Sequence, residues 1–314
     1  MQTASDPYAT PMLGPADLAR LRALARGCDF PPQSPPWIEA AAHGDRLARI
    51  TGSGLELEEL RPYQPDDELR RIDPRASQRL GRPIVRVYRE EQLPSAYAVC
   101  DAGSSMRFGT RGGLKLAQAA RVSALFGIAA ARHGFAVGGE RADAGGRIDP
   151  VPPRTGDAHL ARWLARLAEP APPLADDGGR ALASALQALA RRVPAGAFVL
   201  IASDWRFLDA VPEATLAELA RRTHLRAVGI QDAAEYALPD VGQQRFGRDA
   251  DAVPMTLATG DSAVQATTAG ELAAQRERAG RRLARHGVVL HWFAPGIDCA
   301  ERLCQLLRWN PTSR

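Results

Sequence analysis

Two apolar runs in this chain lead into an aspartate. The run "SAYAVC" leads into Asp101, which begins the loop "DAGSSM", and the run "AFVLIAS" leads into Asp204. In open parallel sheets the carboxyl ends of adjacent strands converge on one crevice, so we expect the two aspartates within reach of each other. Carboxylate and hydroxyl oxygens are ligands for hard cations such as Mg²⁺. The simpler alternative is a buried strand that ends at Asp101, followed by a Gly-Ser turn into the next helix.

The elements that must position these residues alternate between strand and helix from residue 95 onward. Such alternation is typical of helices packed on a parallel sheet. We predict strands over 95–100, 197–204, 225–230 and 288–293, with two more inside 136–150. We predict helices over 14–26, 112–133, 159–167, 180–192, 212–222, 270–286 and 299–308. Extended segments at 55–63 and 83–90 flank a polar stretch.

Length and composition indicate a folded protein. The chain has 314 residues, 45% of them apolar, which is enough to bury a core. Its net charge of +4 comes almost wholly from arginine, because Lys115 is the only lysine; we interpret this as the bias of a GC-rich genome. We expect no signal peptide, because the start "MQTASDPYATPMLG" lacks a basic stretch followed by an apolar one, and no apolar run approaches the roughly 20 residues of a membrane helix. We expect a cytoplasmic protein that reaches a membrane complex only through a partner.

The cysteines predict neither a disulfide framework nor a zinc site. None of them shows C-x-x-C spacing, and their density is far below that of a secreted disulfide scaffold. His286 and His291 precede two of them, but without the tight spacing of zinc ligands. We therefore expect packed thiols in a reducing compartment. The four are Cys28, Cys100, Cys299 and Cys304.

Four stretches together carry a family resemblance. They are "ELRPYQPDDELRRIDPRASQRLGRPIVRVYREE", "DAGSSMRFGT", "IASDWRFLD" and "GIQDAAEYALPDVG". Over roughly residues 47–309 the chain resembles the bacterial family catalogued as domain of unknown function 58, whose members pair an arginine-rich signature with a von Willebrand factor A-like domain. The resemblance implies an α/β fold with a Rossmann-type, mostly parallel sheet, helices on both faces and an N-terminal β-rich signature segment.

The same resemblance sets the expected domain organisation. Residues 1–46 form an N-terminal helix and a Pro-rich linker, and residues 47–94 form the arginine-rich signature segment with extended strands. Residues 95–309 form the von Willebrand A-like domain, and residues 310–314 are a tail.

The function that the resemblance implies is non-catalytic. Members of the family are commonly encoded beside MoxR-type AAA+ ATPases and work with them in chaperone-like assembly or activation of other proteins. We therefore expect a protein-interaction module whose partners are such an ATPase and its client proteins.

The resemblance also implies a metal-ion-dependent adhesion site, which this sequence departs from twice. In such domains an Asp-x-Ser-x-Ser loop, a threonine and a further aspartate hold Mg²⁺. Here Gly103 replaces the first serine, and Gly-Gly-Arg ending at Arg180 stands where Gly-Gly-Thr is usual. We predict a degenerate site without metal or other cofactor, in which Arg180 pairs with Asp101, Asp204 or both. One alternative is that Mg²⁺ is retained, and another is that Asp176 or Asp177 neutralises Arg180 instead. The site consists of Asp101, Gly103, Ser105, Arg180 and Asp204.

The arginine-rich signature allows two interpretations. It departs from the family at Asp66, Glu68 and Pro74, the last replacing a tryptophan. What remains is a docking surface for an acidic partner, or an internal ion-pair network. Its candidate partner-binding residues are Arg61, Tyr63, Asp67, Arg70, Arg71, Asp73 and Arg75.

Two other function classes compete with this interpretation. The arginines between residues 61 and 89 suggest nucleic-acid binding, but the acidic residues among them would repel phosphates. A hydrolase would need a nucleophile turn of the G-x-S-x-G type, and "DAGSSMR" lacks the second glycine and has no evident histidine partner.

Overall fold

The computed structural model describes residues 8–30, 55–65, 67, 70, 72–90, 93–110, 113–145, 149–173, 178–246, 255–293 and 299–307. Arg71, Asp66, Glu68, Asp176, Asp177 and the predicted tail 310–314 lie outside these residues. The described residues belong to two compact units. We call residues 42–93 the signature unit, and residues 1–41 with 94–314 the main unit.

The helices and strands are numbered in chain order. The α-helices are α1 (Pro15–Ala25), α2 (Pro74–Leu80), α3 (Lys115–Arg132), α4 (Asp157–Ala168), α5 (Arg180–Arg192), α6 (Glu213–Arg222), α7 (Ser262–Ala284) and α8 (Cys299–Leu307). The strands are β1 (Leu55–Pro62), β2 (Ile84–Glu90), β3 (Ser95–Ala102), β4 (Ala136–Asp143), β5 (Val151–Arg154), β6 (Phe198–Ser203), β7 (His224–Ile230), β8 (Gln243–Phe246), β9 (Met255–Ala258) and β10 (Leu290–Phe293).

The main unit is built on a six-stranded sheet of order β10-β7-β6-β3-β4-β5. Neighbouring strands are parallel, except that β5 runs antiparallel to β4 at one edge. Counted within this sheet, the order is 3-2-1-4-5-6, that of Rossmann-type folds. The topology switches between β3 and β6, and ligands bind at the carboxyl ends of the strands on either side of such a switch. Asp101 and Asp204 lie at these two strand ends.

Helices cover both faces of the sheet, as predicted. Every residue of β3 is buried, and its side chains alternate between two apolar clusters. Ala98 and Cys100 join the cluster formed with α1, α3, α4 and α8. Tyr97 and Val99 join the cluster formed with α5, α6 and α7. None of the helices in the described part of the chain combines the length and apolar character that a bilayer crossing requires.

The signature unit contains a helix that the sequence analysis missed. Strands β1 and β2 pair antiparallel, and α2 lies between them in the chain. The Asp73 carboxylate caps α2 by accepting from the Ala76 amide at 2.9 Å. Pro74, the residue that replaces the family tryptophan, begins the helix, and Gly81 ends it with a φ of 63°. Asp-Pro followed later by glycine was therefore a helix signal within the polar stretch.

The N-terminal helix belongs to the main unit and is linked covalently to its last helix. Helix α1, which the sequence analysis assigned to a separate segment, packs against α3 and α8. Cys28, just after α1, forms a disulfide with Cys304 of α8 across a Cα separation of 4.7 Å. The expectation of packed free thiols was wrong for these two residues, because a pair 276 positions apart in sequence gives no local spacing signal.

We expect the Cys28–Cys304 disulfide to stabilise the main unit. Closing so long a loop removes conformational entropy from the unfolded chain, so Cys304→Ser should lower the free energy of unfolding by roughly 2–5 kcal/mol. Denaturant titration measures the loss, and a reducing agent should destabilise the wild type without affecting Cys304→Ser. Peptide mapping of non-reduced protein that finds no cross-link between the two cysteines would contradict this.

Candidate functional site

The carboxyl edge of the main sheet joins the ends of β3 and β6 by reciprocal hydrogen bonds. The Ser203 hydroxyl of β6 donates to Asp101 Oδ2 at 2.6 Å, and the Ser105 hydroxyl of the loop after β3 donates to the Asp204 carboxylate. The Gly103 amide donates to Asp101 Oδ1 at 2.9 Å. Each aspartate is 5% exposed. The structure therefore brings together four of the predicted site residues: Asp101, Gly103, Ser105 and Asp204.

A strained residue turns the chain directly after Asp204. Trp205 has a φ of 56°, the only positive φ of a non-glycine residue in the described ranges. Its indole N–H donates to the Val228 carbonyl at 2.9 Å, and its amide donates to the Ser203 hydroxyl at 2.9 Å. The next amide, of Arg206, donates to Asp204 Oδ1 at 3.0 Å. The buried indole thus holds a backbone conformation that fixes the Asp204 carboxylate.

Lys115 supplies the cation at this edge. Its Nζ lies 2.8 Å from Asp204 Oδ2 and 2.6 Å from Glu235 Oε1, and its side chain is 2% exposed. Lys115 is the first residue of α3, Asp204 follows β6, and Glu235 lies in the loop after β7. One ammonium therefore connects three separate segments of the main unit.

The loop after β7 is fastened to the loop after β3 by a second carboxylate. Asp232 Oδ1 accepts from the Thr110 hydroxyl at 2.6 Å, and Oδ2 accepts from the Thr110 amide at 2.9 Å. The Ala234 amide also donates to Asp232 Oδ1, and the Asp232 amide donates to Glu235 Oε2, both at 2.9 Å. Glu235 is thereby held in position for Lys115.

All carboxylate oxygens of the cluster are satisfied. We define the edge cluster as Asp101, Lys115, Asp204, Asp232 and Glu235. Each of its eight carboxylate oxygens accepts at least one hydrogen bond. The Lys115 ammonium donates to Asp204 and Glu235, and neutral amides and hydroxyls donate to the other oxygens of the four acids.

Burial and charge act in opposite directions on the pKa values of Lys115 and Asp204. Burial lowers the pKa of Lys115, but the two neighbouring carboxylates outweigh it and raise the pKa above the ordinary 10.5. Burial raises the pKa of Asp204, but Lys115 and the amide and hydroxyl donors outweigh it and lower the pKa below 3.8. The stabilisation from Lys115 is complete below pH 10.5 and lost above it; that from Asp204 is complete above pH 3.8 and lost as the pH falls.

The cation that contacts Asp204 is Lys115 and not Arg180. Arg180 is exposed at the first residue of α5. The preceding Gly179 has a φ of 81°, and a Cβ there would lie 2.1 Å from Cβ of Phe207, so this loop packs tightly on the chain after β6. The predicted pairing of Arg180 with Asp101 stays a prediction.

Mg²⁺, which the resemblance implies, does not fit the side chains at this edge. The ion needs about six oxygens in a near-octahedral shell. Gly103 offers no hydroxyl, and Asp204 and Glu235 already share the Lys115 ammonium. An ion bound to Asp204 would lie beside that ammonium and be repelled by it. Within the described ranges, no three His, Cys, Asp or Glu side chains form a group able to hold a metal.

Two sequence signals could have identified Lys115. It is the only lysine among 40 lysine and arginine residues. It also begins a helix, where the macrodipole disfavours a cation. A single lysine at an electrostatically unfavourable position indicates that acidic side chains contact it, but composition alone does not show which ones.

In the signature unit several predicted docking residues bind one another. Arg61 donates to both oxygens of Asp67, at 2.8 and 2.6 Å, and the Gln64 amide donates to Asp67 at 2.8 Å. Asp73 is buried as the cap of α2. These contacts favour the internal network for Arg61, Asp67 and Asp73. Docking stays a prediction for the half-buried Tyr63 and the exposed Arg70 and Arg75.

The topology and the site define a von Willebrand A-like α/β domain that carries a buried lysine between two carboxylates at its carboxyl edge. The family model described as "Protein of unknown function DUF58" matches residues 59–279. The chain belongs to this family.

Relatives of the chain occur in mycobacteria. The uncharacterized proteins Rv1480 of Mycobacterium tuberculosis and Mb1516 of Mycobacterium bovis are each 32% identical to it over 211 residues. The match covers 65% of this chain and 64% of either relative, so the chain spans less than two thirds of their length.

Two solved structures from Bacteroides are distantly similar. An aerotolerance-related membrane protein of Bacteroides fragilis gives a TM-score of 0.41 at 14% identity, covering 68% of this chain and 97% of that one. The conserved hypothetical protein BatB of Bacteroides thetaiotaomicron gives 0.35 at 14% identity, covering 62% and 98%. Likenesses at this level carry no functional inference.

We expect Lys115→Met to destabilise the main unit by about 3–5 kcal/mol, because it leaves two buried carboxylates without their cation. Arg206→Met, which removes an exposed cation at the same edge, is the matched control and should change stability by less than about 0.5 kcal/mol. Chemical denaturation at neutral pH compares the two. Equal stabilities for both variants would show that the ammonium does not hold the edge cluster together.

We expect Arg61→Ala to loosen the signature unit by about 1 kcal/mol, since it breaks a partly buried two-bond ion pair. Arg75→Ala removes an exposed guanidinium of the same unit and serves as its control. Hydrogen exchange of the β1 and β2 amides is the measurement. Faster exchange in both variants, or in neither, would argue against the internal network.

Proposed function

We propose that the chain is a non-catalytic protein-interaction module that works with a MoxR-type AAA+ ATPase in chaperone-like assembly or activation of other proteins. Family membership supports the proposal, and one structural observation carries it. The edge cluster is a closed, hydrogen-bonded set of four carboxylates and one ammonium at the edge where Rossmann-type sheets meet their ligands. Such an edge is suited to presenting a fixed surface to another protein.

The chemistry of the edge cluster supports a non-catalytic role. A general base needs a proton affinity near the working pH, and the lowered pKa of Asp204 makes it a weak base. The two hydroxyls that touch the aspartates, those of Ser105 and Ser203, donate their protons to carboxylates. They therefore position the acids and are not activated by a histidine.

Exposed residues beside the edge cluster offer contacts for a partner. Tyr236 directly follows Glu235 and is 39% exposed, with the Arg276 guanidinium 4.8 Å from its ring centre. Arg206, two residues after Asp204, is exposed. Aromatic and arginine side chains are enriched among the residues that dominate protein interfaces. We therefore place the docking face at the carboxyl edge of the main sheet.

The alternative of nucleic-acid binding through the signature unit has less support. Arg61 is already engaged by Asp67 and is not available to a phosphate. An arginine that is paired internally contributes less of the positive charge that attracts nucleic acid.

Cytoplasmic location is part of the proposal, because an ATP-driven partner requires the nucleotide pool of that compartment. The Cys28–Cys304 disulfide weighs against it, since lasting disulfides are rare where thiols are kept reduced.

Binding to a purified MoxR-type ATPase encoded in the same genome tests the proposal. We expect the wild-type chain to bind it, and Arg206→Glu combined with Tyr236→Ala to weaken binding at least about tenfold. Titration calorimetry in the presence and absence of nucleotide gives both affinities.

Arg132→Glu is the matched control, because it reverses an exposed arginine at the far end of α3, on the opposite edge of the sheet. It should bind as the wild type does. No binding of the wild type in any nucleotide state would rule out the ATPase as partner. If Arg75→Glu loses binding while Arg206→Glu combined with Tyr236→Ala still binds, the docking face lies on the signature unit.

A further inference from the structure

The position of Lys115 gives the edge a permanent cation. Its Nζ contacts Asp204, the aspartate that the family resemblance assigns to the metal, and Glu235 on the neighbouring loop, at 2.8 and 2.6 Å. Ser105, another oxygen of the implied metal site, donates to the same Asp204. The ammonium therefore competes for oxygens that a divalent ion would need.

We propose that the Lys115 ammonium replaces the divalent ion, which makes the edge independent of metal. A lysine carries a compact point charge with three N–H donors, and in this respect it is closer to a bound ion than a planar guanidinium is. Its cation is tethered to α3, so it cannot be removed by a chelator or exchanged for another ion. The inference concerns the fixed charge of the edge and holds for any partner.

The composition of the chain supports this assignment independently of the distances. Arginine serves as the basic residue at every other position, including those in buried ion pairs such as Arg141 with Asp143. If any cation sufficed at residue 115, arginine would be expected there too. The single exception occurs where a small charge must fit between two carboxylates.

The start of helix α3 gives a second reason why Asp204 and Glu235 lie beside Lys115. Helix α3 begins without a side-chain cap and without an acidic residue in its first turn. Its N-terminal dipole disfavours the ammonium and favours nearby anions. Asp204 and Glu235 therefore stabilise both the lysine and the start of the helix. Removing the lysine leaves two carboxylates at a positive helix end, where a divalent ion is the natural replacement.

The lone lysine allows a direct test by NMR. In wild-type protein labelled with ¹⁵N at lysine Nζ, one ammonium signal is expected, from Lys115. It should exchange slowly with water because the group is buried and hydrogen-bonded. Millimolar Mg²⁺ or Ca²⁺ should leave both this signal and the melting temperature unchanged. A metal-induced shift of the signal that disappears in Asp204→Asn would overturn the proposal.

The complementary test removes the ammonium. Lys115→Ala should melt at a lower temperature than the wild type, and Mg²⁺ or Ca²⁺ should raise its melting temperature by at least about 3 °C. The control Lys115→Ala with Asp204→Asn should show no such rise. If Lys115→Ala does not fold, the double variant Lys115→Met with Glu235→Gln takes its place in the metal titration. This double variant loses one charge of each sign. A folded variant that ignores both metals would show that the ammonium does not stand in an ion's place.

Discussion

The ion pairs of Lys115 with Asp204 and Glu235 are the constraint on which the carboxyl edge depends. The sheet buries its strands on both faces, so the acids at the strand ends are removed from water. Buried carboxylates need compensation, which here comes from one ammonium and a set of amides and hydroxyls. The loops after β3, β6 and β7 take their positions from these bonds. The arrangement at the edge is thus fixed by electrostatics and the core by packing.

A buried ion pair adds little net stability compared with a well-packed apolar group, and its value lies in specifying one geometry. Here the carboxylates would tolerate few other arrangements, because each oxygen already has its donor. The strained Trp205 contributes in the same way, since its buried indole holds a turn that a free chain would avoid. The edge is therefore preorganised, with little conformational freedom left to lose.

Periodicity and strand-end chemistry predicted the sheet, most helices and the meeting of Asp101 with Asp204, because these follow from local pattern and parallel topology. Helix α7 begins at Ser262, earlier than the predicted 270, since its first turns carry small and polar residues and only the Asp261 cap marks the start. The disulfide and the role of Lys115 depend on pairs far apart in sequence. The disulfide had no sequence signal. Lys115 had two, its uniqueness among the basic residues and its place at a helix start, and the first of these was interpreted as genome composition.

The covalent link between Cys28 and Cys304 also has a mechanical meaning. It closes almost the whole chain into a loop, with the signature unit inside that loop in sequence. Tension applied through the two ends of the chain would be carried by the sulfur bridge and would bypass the sheet, the edge cluster and the signature unit. The tension would act on the residues before Cys28, which include α1, and on those after Cys304. If the disulfide were reduced, the tension would act on the helices and strands between Cys28 and Cys304.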